Sequence, residues 1–518
     1  MPPPAANQSE VSEAPRSRGN ALHWITMCLL FVGGAAFRLA HLVNKPFWFD
    51  ECFSVEVARI GWGNFFRLLW WREANMSLYY ALLRAWLHFG RSEYFIRSLS
   101  VLMSVAALPA MYWLARLLYG RRVALIATAL LTFNAYSVRY AQEARSYSLF
   151  LLLAILSSVC LVACLQRGDP RLRAGYVIAS ALAVYAHFYA LLLVAAHWLT
   201  LRCFGAARPE KSSGGGLPGF RQAWIAIGLA VLPILVFVAK TGAGPIKWIS
   251  RPGFAGLFQF FENLAGGKDW TLPIIYFVLC ATALAPSGKL LLRKTPRWDT
   301  WRCQFLVVWL VLPVALTVLL SFARPVFLAR YMIFCLPALL TLAAAGLARL
   351  RSPWILAFTL AGVLFLSSQG ISFVLGHDFD SERDASDAAV AMILDHTQPG
   401  DAILFHIAET RVPYEFFRSL RAGTNTASPD FLSTLGPEIV FPRHGPGLDY
   451  RDFTGKPSGE LVRSAAQTHP RVWIMLMHNG TLANPDPTTV ILTQILGQSF
   501  SNMKRWQFPL VEVRLYSK

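Results

Sequence analysis

The chain has 518 residues, of which 55% are hydrophobic and 15% charged, with a formal net charge of +19. A soluble protein carries about a quarter of its residues as charge, and a soluble core would need a polar face on most helices, which many of these apolar blocks lack. Nucleic-acid binding is disfavoured as well, because the basic residues sit in short connectors between apolar blocks, the pattern of cytoplasmic loops in a membrane protein.

The charge also divides the chain. From His377 onward there are 13 Lys/Arg and 16 Asp/Glu, whereas the preceding part holds 35 and 13. Three regions follow: a cytoplasmic tail over 1–20, a transmembrane domain over 21–376 and a soluble α/β domain over 377–518. None of the eight cysteines falls in the last region, only Cys52 lies in a non-cytoplasmic loop, and no CxxC or Cys/His zinc spacing occurs.

Apolar runs long enough to cross a bilayer as helix, roughly 15–25 residues each, recur along the chain. In lipid a segment must satisfy its own backbone groups, so these runs read as helices. The first, 21–43, follows Arg16 and Arg18. It is longer than a signal-peptide core and no clear cleavage site follows, so it reads as an uncleaved helix with its N-terminus in the cytoplasm. The others are 97–118, 122–138, 147–165, 173–186, 188–203, 221–240, 271–286, 303–322, 331–349 and 354–376, eleven spans in all.

Basic connectors alternate with longer, mixed and aromatic ones at 44–96, 139–146, 241–270 and 323–330. The latter set faces outward, and with eleven crossings so does the C-terminal domain. Residues 173–203 admit two readings, one long helix or a short hairpin; Tyr185, His187 and Tyr189 at the middle favour a turn. Residues 77–90 are too short to span and read as an interfacial amphipathic helix, and the aromatic residues of 62–71 as interfacial packing. Ser212 to Gly219 reads as a flexible cytoplasmic linker.

In the C-terminal region Ser381 to Asp395 reads as a helix, with Ser381 and Asp384 close to a capping box. Ala402 to Phe405, Val472 to Leu476 and Val511 to Tyr516 read as strands, Val490 to Leu496 as a helix and 421–460 as loop. Asp378-Phe379-Asp380 looks like the DxD motif of nucleotide-sugar enzymes, but too few residues remain for a nucleotide-binding domain. No metal is expected at His187 and His197, which lack a carboxylate partner.

Three outward loops hold candidate chemistry. Phe47-Trp48-Phe49-Asp50-Glu51 sets two acids beside aromatic residues at headgroup depth. Two readings stay open: a functional acid, or Asp50 capping a helix that starts near Ser54. Arg139 to Tyr147 packs Glu143 and Arg145 between two spans. Charge at such an edge suggests function, and the alternative is an Arg139–Glu143 helical pair, which leaves Arg145 over. Arg330 opens a span from the outer side, either as a phosphate-binding fork or as a snorkelling anchor. A carboxylate that takes a proton from an acceptor hydroxyl, beside arginine that stabilises a phosphate leaving group, suits transfer of a sugar from a lipid phosphate.

The sequence resembles the GT-C superfamily of polyprenyl-phosphate-sugar glycosyltransferases, especially family 39 and RgtA/B/C/D-like members related to protein mannosyltransferases. The resemblance rests on Trp48-Phe49-Asp50-Glu51, Asn75-Met76-Ser77-Leu78-Tyr79-Tyr80, Gly90-Arg91-Ser92-Glu93 with Arg97-Ser98, Tyr140-Ala141-Gln142-Glu143-Ala144-Arg145-Ser146-Tyr147, and Arg330-Tyr331 before a helix containing Pro337, over about residues 20–350. Ser77 departs from the proline that many members carry there. The resemblance implies a bacterial inner-membrane enzyme with an outward-facing site and an inverting transfer. The donor would be a polyprenyl-phosphate-linked sugar, and the acceptor a glycan, lipid or protein. It implies Asp50 as base with Glu51 in support, and Glu143, Arg145, Tyr147, Arg330 and Tyr331 as donor-phosphate or substrate contacts. No cofactor is predicted, and a divalent metal is left open. The alternatives are a transporter or flippase of a lipid-linked sugar, which would show inverted repeats, and a non-catalytic receptor or scaffold. No repeat is visible.

Overall fold

The computed structural model describes residues 14–205, 219–241, 251, 253–290, 297–376, 384–422, 435–442, 455–477, 480–481 and 484–518. Most of the predicted cytoplasmic tail, the linker from Ser212, the DxD-like Asp378–Asp380, Ser381 and much of 421–460 lie outside them.

The chain opens with α1 (Ala14–Leu39), and three short helices follow: α2 (Phe49–Arg59), α3 (Trp62–Trp71) and α4 (Ser77–Trp86). The bundle continues with α5 (Glu93–Tyr119), α6 (Arg121–Thr132), α7 (Ala135–Ala141), α8 (Tyr147–Arg167), α9 (Pro170–Ala186) and α10 (Ala190–Phe204). After these come α11 (Phe220–Ala230), α12 (Leu232–Thr241), α13 (Phe254–Ala265), α14 (Thr271–Leu284), α15 (Trp298–Ala323), a 3-10 turn Ala329–Cys335, α16 (Leu336–Leu347) and α17 (Pro353–Gly376).

Seven segments are long and apolar enough to cross a membrane, and α11 with α12, bent by 53°, makes up to eight. The three other predicted spans form shorter helices: α6 with α7, α9, and α10. In the 173–203 region the chain does break, at His187–Tyr189. Burial follows a membrane solvent: α8 is enclosed almost throughout, whereas α1 and α17 turn Trp24, Leu29, Trp354 and Phe358 outward. Small residues allow close helix approach: a Cβ on Gly346 of α16 would collide with the Leu279 carbonyl of α14.

The predicted span 122–138 is broken at Phe133–Asn134. Such a break frees backbone carbonyls that hydrocarbon cannot solvate. Buried Arg38 of α1 donates to two of them, Leu131 O at 3.3 Å and Thr132 O at 3.4 Å, and to Ser104 Oγ of α5 at 2.7 Å. Asn134 caps α7 by accepting the Ser137 N–H at 2.8 Å. The loop after α7 reaches α2, where the Ala144 N–H donates to Glu51 at 2.8 Å.

The C-terminal region is an α/β domain, with α18 (Ser386–His396), β1 (Asp401–Phe405), α19 (Arg411–Arg421), β2 (Glu438–Phe441), α20 (Gly459–Thr468), β3 (Arg471–Met477), β4 (Gly480–Thr481), β5 (Asn484–Pro485), α21 (Pro487–Ser499), β6 (Asn502–Phe508) and β7 (Val511–Ser517). The sheet order is β2-β1-β3-β7-β6, with β1 parallel to β2 and β3, and β7 antiparallel to β3 and β6. Alternate residues point to opposite faces. Ala402, Leu404, Val472 and Ile474 pack with α20 and α21, while Ile403, Phe405, Trp473 and Met475 join a core continuous with the helix bundle.

The strands expected at 402–405, 472–476 and 511–516 are β1, β3 and β7. Several elements were not expected: β2, inside the stretch read as loop, the amphipathic α19, α20, the short β4–β5 pair, and β6, whose side chains are mostly exposed. Helix α18 starts at Ser386, later than the capping box implied, and Asp384 serves a different helix.

Candidate active site

Asp50 lies in the first turn of α2, which starts at Phe49 and not near Ser54 as the capping alternative required. Successive residues on a helix point about 100° apart, so the two adjacent acids diverge, and they meet different arginines.

Glu51 turns inward and is fully buried. Arg97 of α5 donates to it from Nε at 2.8 Å and from Nη2 at 2.7 Å, and the Ala144 N–H adds a third bond at 2.8 Å. Arg97 also donates to the carbonyls of Leu42 at 2.7 Å and Lys45 at 2.8 Å, and lies over the Phe47 ring. This two-pronged pair ties α2, α5, the α1–α2 loop and the α7–α8 loop together. Glu51 was expected to support Asp50 in the chemistry; its carboxylate is instead committed to this buried pair.

Asp50 turns the other way and keeps partial exposure. Its Oδ2 is 3.3 Å from Arg145 Nη2 and 3.8 Å from Arg330 Nη2. Arg145 Nη1 also donates to the Asp50 carbonyl at 3.3 Å and to Ser54 Oγ at 3.4 Å. Burial opposes the Arg145 charge, but Asp50 together with Tyr147 and Tyr80 outweighs it, so the guanidinium is held above its ordinary value. Among the described residues, no group hydrogen-bonds Asp50 Oδ1.

Three elements therefore converge: α2, the α7–α8 loop and the 3-10 turn. Helix α7 ends at Ala141, so Arg139 lies in its last turn and Glu143 in the loop beyond it. Glu143 is buried, and its carbonyl accepts the Arg145 N–H at 2.7 Å, which folds the loop tightly. The 3-10 turn is fixed by Tyr136, whose hydroxyl donates to Ala329 O at 2.7 Å, and by Ser321 Oγ, which accepts the N–H groups of Val326 at 3.1 Å and Phe327 at 3.0 Å. Arg330 lies over the Trp48 ring, 5.5 Å from its centroid.

Tyr147 and Tyr331 form the aromatic floor. Tyr147 packs edge-on to Tyr140, and among the described residues its buried hydroxyl has no hydrogen-bond partner. Tyr331 packs on His187 and Tyr189 at centroid distances of 4.5 and 5.2 Å. His187, which the sequence offered only as a turn residue, therefore belongs to this wall. His197 lies elsewhere, bonded to Ser158 Oγ at 3.1 Å. Among the described residues, no three His, Cys, Asp or Glu side chains form a metal-binding group.

One acid was missed. Glu73, in the α3–α4 connection, sits within electrostatic reach of both Arg145 and Asp50. Burial pushes its carboxyl up to about 7; Arg145 opposes this and Asp50 adds to it. Its sequence neighbours, Arg72 and Ala74, carry no signal that distinguishes it from a surface residue.

Fold and site together define a polytopic helical protein, with seven or eight segments long and apolar enough to cross a membrane and an α/β domain after them. The whole chain is similar to ArnT from Cupriavidus metallidurans in the apo state, with a TM-score of 0.57 at 11% identity over 97% of this chain and 98% of that one. The same protein bound to undecaprenyl phosphate gives 0.55 at 12% identity over the same shares. No family model and no curated protein matches the chain.

Proposed function

We propose that the protein moves a sugar from a polyprenyl-phosphate donor to an acceptor hydroxyl at the outer face of the cytoplasmic membrane. The observation that carries this reading is one carboxylate oxygen of Asp50 held by two arginines. The trio bears a net positive charge and suits a phosphate monoanion, which arginine can bind through two donors. The fold is shared with a structure that holds undecaprenyl phosphate, which supports a lipid phosphate as the anion.

In this reading Arg145 and Arg330 turn part of their hydrogen-bonding capacity from Asp50 to the donor phosphate. The acceptor oxygen attacks the anomeric carbon and its proton passes to Asp50. The bond between that carbon and the phosphate oxygen breaks, and its electron pair stays on the phosphate, where the two guanidinium groups stabilise it. Attack opposite the leaving group inverts the anomeric centre. Glu51 positions α2 through Arg97, and Glu143, Tyr147 and Tyr331 shape the floor.

Asp50→Asn tests the assignment. Transfer should fall by about 10²–10⁴-fold, the usual worth of a general base, while binding of polyprenyl phosphate holds or tightens because a competing anion is gone. Retained transfer would overturn it. The orientation has its own check: a reporter fused after Lys518 should be active only outside the cytoplasm, and cytoplasmic activity would reverse the assigned topology.

A further inference from the structure

The N-terminus of α2 has no local cap. Trp48 occupies the capping position and makes no side-chain cap bond. A helix start leaves backbone N–H groups unsatisfied unless a side chain accepts them. Here the acceptor comes from 335 positions away: Asp384 Oδ2 takes the Phe49 N–H at 2.7 Å. Phe49 immediately precedes Asp50.

Asp384 is buried and fixed within the α/β domain. Ser386 Oγ donates to its other oxygen, Oδ1. The next residue, Ala385, donates its N–H to Pro509 O in the β6–β7 turn at 3.0 Å, and Ser386 also touches Met477 at the end of β3. The cap therefore belongs to the soluble sheet and not to the membrane bundle.

A second set of contacts holds the segment leading into this helix and its far end. Phe416 of α19 stacks on Phe47 with centroids 5.1 Å apart and planes 4° from parallel. Arg59, at the far end of α2, donates to Ser419 Oγ at 3.2 Å and lies over the Phe416 ring. Arg59 also pairs with Glu56, one turn back, at 3.2 Å. On the α19 side, Glu415 is pinned by Arg411 at 2.7 Å and Arg418 at 2.6 Å, so the docking surface is itself rigid.

We propose that the α/β domain is the positioning element of the active site: Asp384 caps the helix that carries Asp50, and α19 braces the segment leading into it and its far end. Asp384 is a positioning residue; it touches α2 and no reacting group. The inference rests on the glycosyltransferase reading for its activity consequence, but the clamp itself does not. Misplacement by a fraction of a bond length is costly in a reaction that depends on orientation, so the domain's job is set by geometry and requires no ligand of its own.

Two readouts on the full-length protein in lipid nanodiscs separate the claims. In Asp384→Ala, hydrogen exchange should accelerate about fivefold at the first amides of the peptide 48–59, the size expected from losing a cap, with the other transmembrane peptides unchanged. In the same variant kcat should fall by about tenfold while KM for the polyprenyl-phosphate donor stays within about twofold, the signature of a displaced group that does not bind donor. Asp384→Asn should restore both, because its carbonyl accepts the Phe49 N–H and its amide can donate to the Ser386 hydroxyl. Phe416→Ala, which leaves the cap in place, should show the same pair of changes at smaller size and serves if Asp384→Ala does not fold. Unchanged exchange at 48–59 in both Asp384→Ala and Phe416→Ala would overturn the clamp. Faster exchange with no transfer activity in the wild-type protein would leave the clamp standing and sink the proposed function.

Discussion

Two ion-pair regions flank α2, built from neighbouring residues, and they differ in how completely the charge is satisfied. On the inner side Glu51 and Arg97 exchange two direct bonds at 2.7 and 2.8 Å, and backbone groups take up further capacity on both partners. On the outer side Asp50 is shared at 3.3 and 3.8 Å between two arginines and keeps one oxygen unengaged among the described residues. A buried pair that meets all its demands cannot exchange partners without a large penalty, which is what a structural brace needs. A pair left loose and partly exposed can change partners when an anion arrives, as substrate binding requires.

Substitutions can break or sharpen this contrast. The largest effect on stability is expected for Glu51→Gln, which strands Arg97 without its counter-charge. Losing one partner of a buried pair costs about 3–5 kcal/mol, so the purified protein should unfold at markedly lower temperature in a detergent melt. Arg330→Lys and Arg145→Lys come next. Lysine keeps the charge and loses the planar fork, so kcat/KM for the donor should drop by about 10–100-fold with little change in melting temperature.

The smallest effect belongs to Glu73. Its carboxyl is pushed up to about 7 by burial, so it is largely neutral below that pH and adds a negative charge beside Arg145 above it. The added charge competes with donor phosphate, and donor KM should rise by about threefold between pH 6 and pH 8, a modest through-space effect in a partly wet site. Glu73→Gln should flatten that rise. A wild-type profile that is already flat would remove Glu73 from the site.

The sequence makes the composition-driven layer legible. Apolar runs located the seven segments long and apolar enough to cross a membrane, because hydrocarbon imposes the same demand on every span, and the break at His187 showed in its polar and aromatic neighbours. Asp50, Arg145 and Arg330 stood out because charge is conspicuous at a membrane edge. Pairing was less legible. Nothing local assigns Glu51 to Arg97, 46 positions on, rather than to Asp50's task. Asp384 looked like part of its own helix's cap, since capping boxes are read over three residues and its true partner lies 335 positions away. Strands β2 and β6 escaped because edge strands carry little apolar alternation, and β2 sits in a Pro/Gly-rich stretch that usually means loop.

The central claim is that adjacent acids on one helix divide catalysis and structure between them. The most direct test is the matched pair Asp50→Asn and Glu51→Gln in the full-length protein, each scored for sugar transfer from a polyprenyl-phosphate donor and for melting temperature. The expected result is a crossed pattern: Asp50→Asn loses transfer and keeps its melting temperature, while Glu51→Gln loses melting temperature and keeps measurable transfer at low temperature in the fraction that folds. Two variants with the same profile, or an active Asp50→Asn, would contradict it.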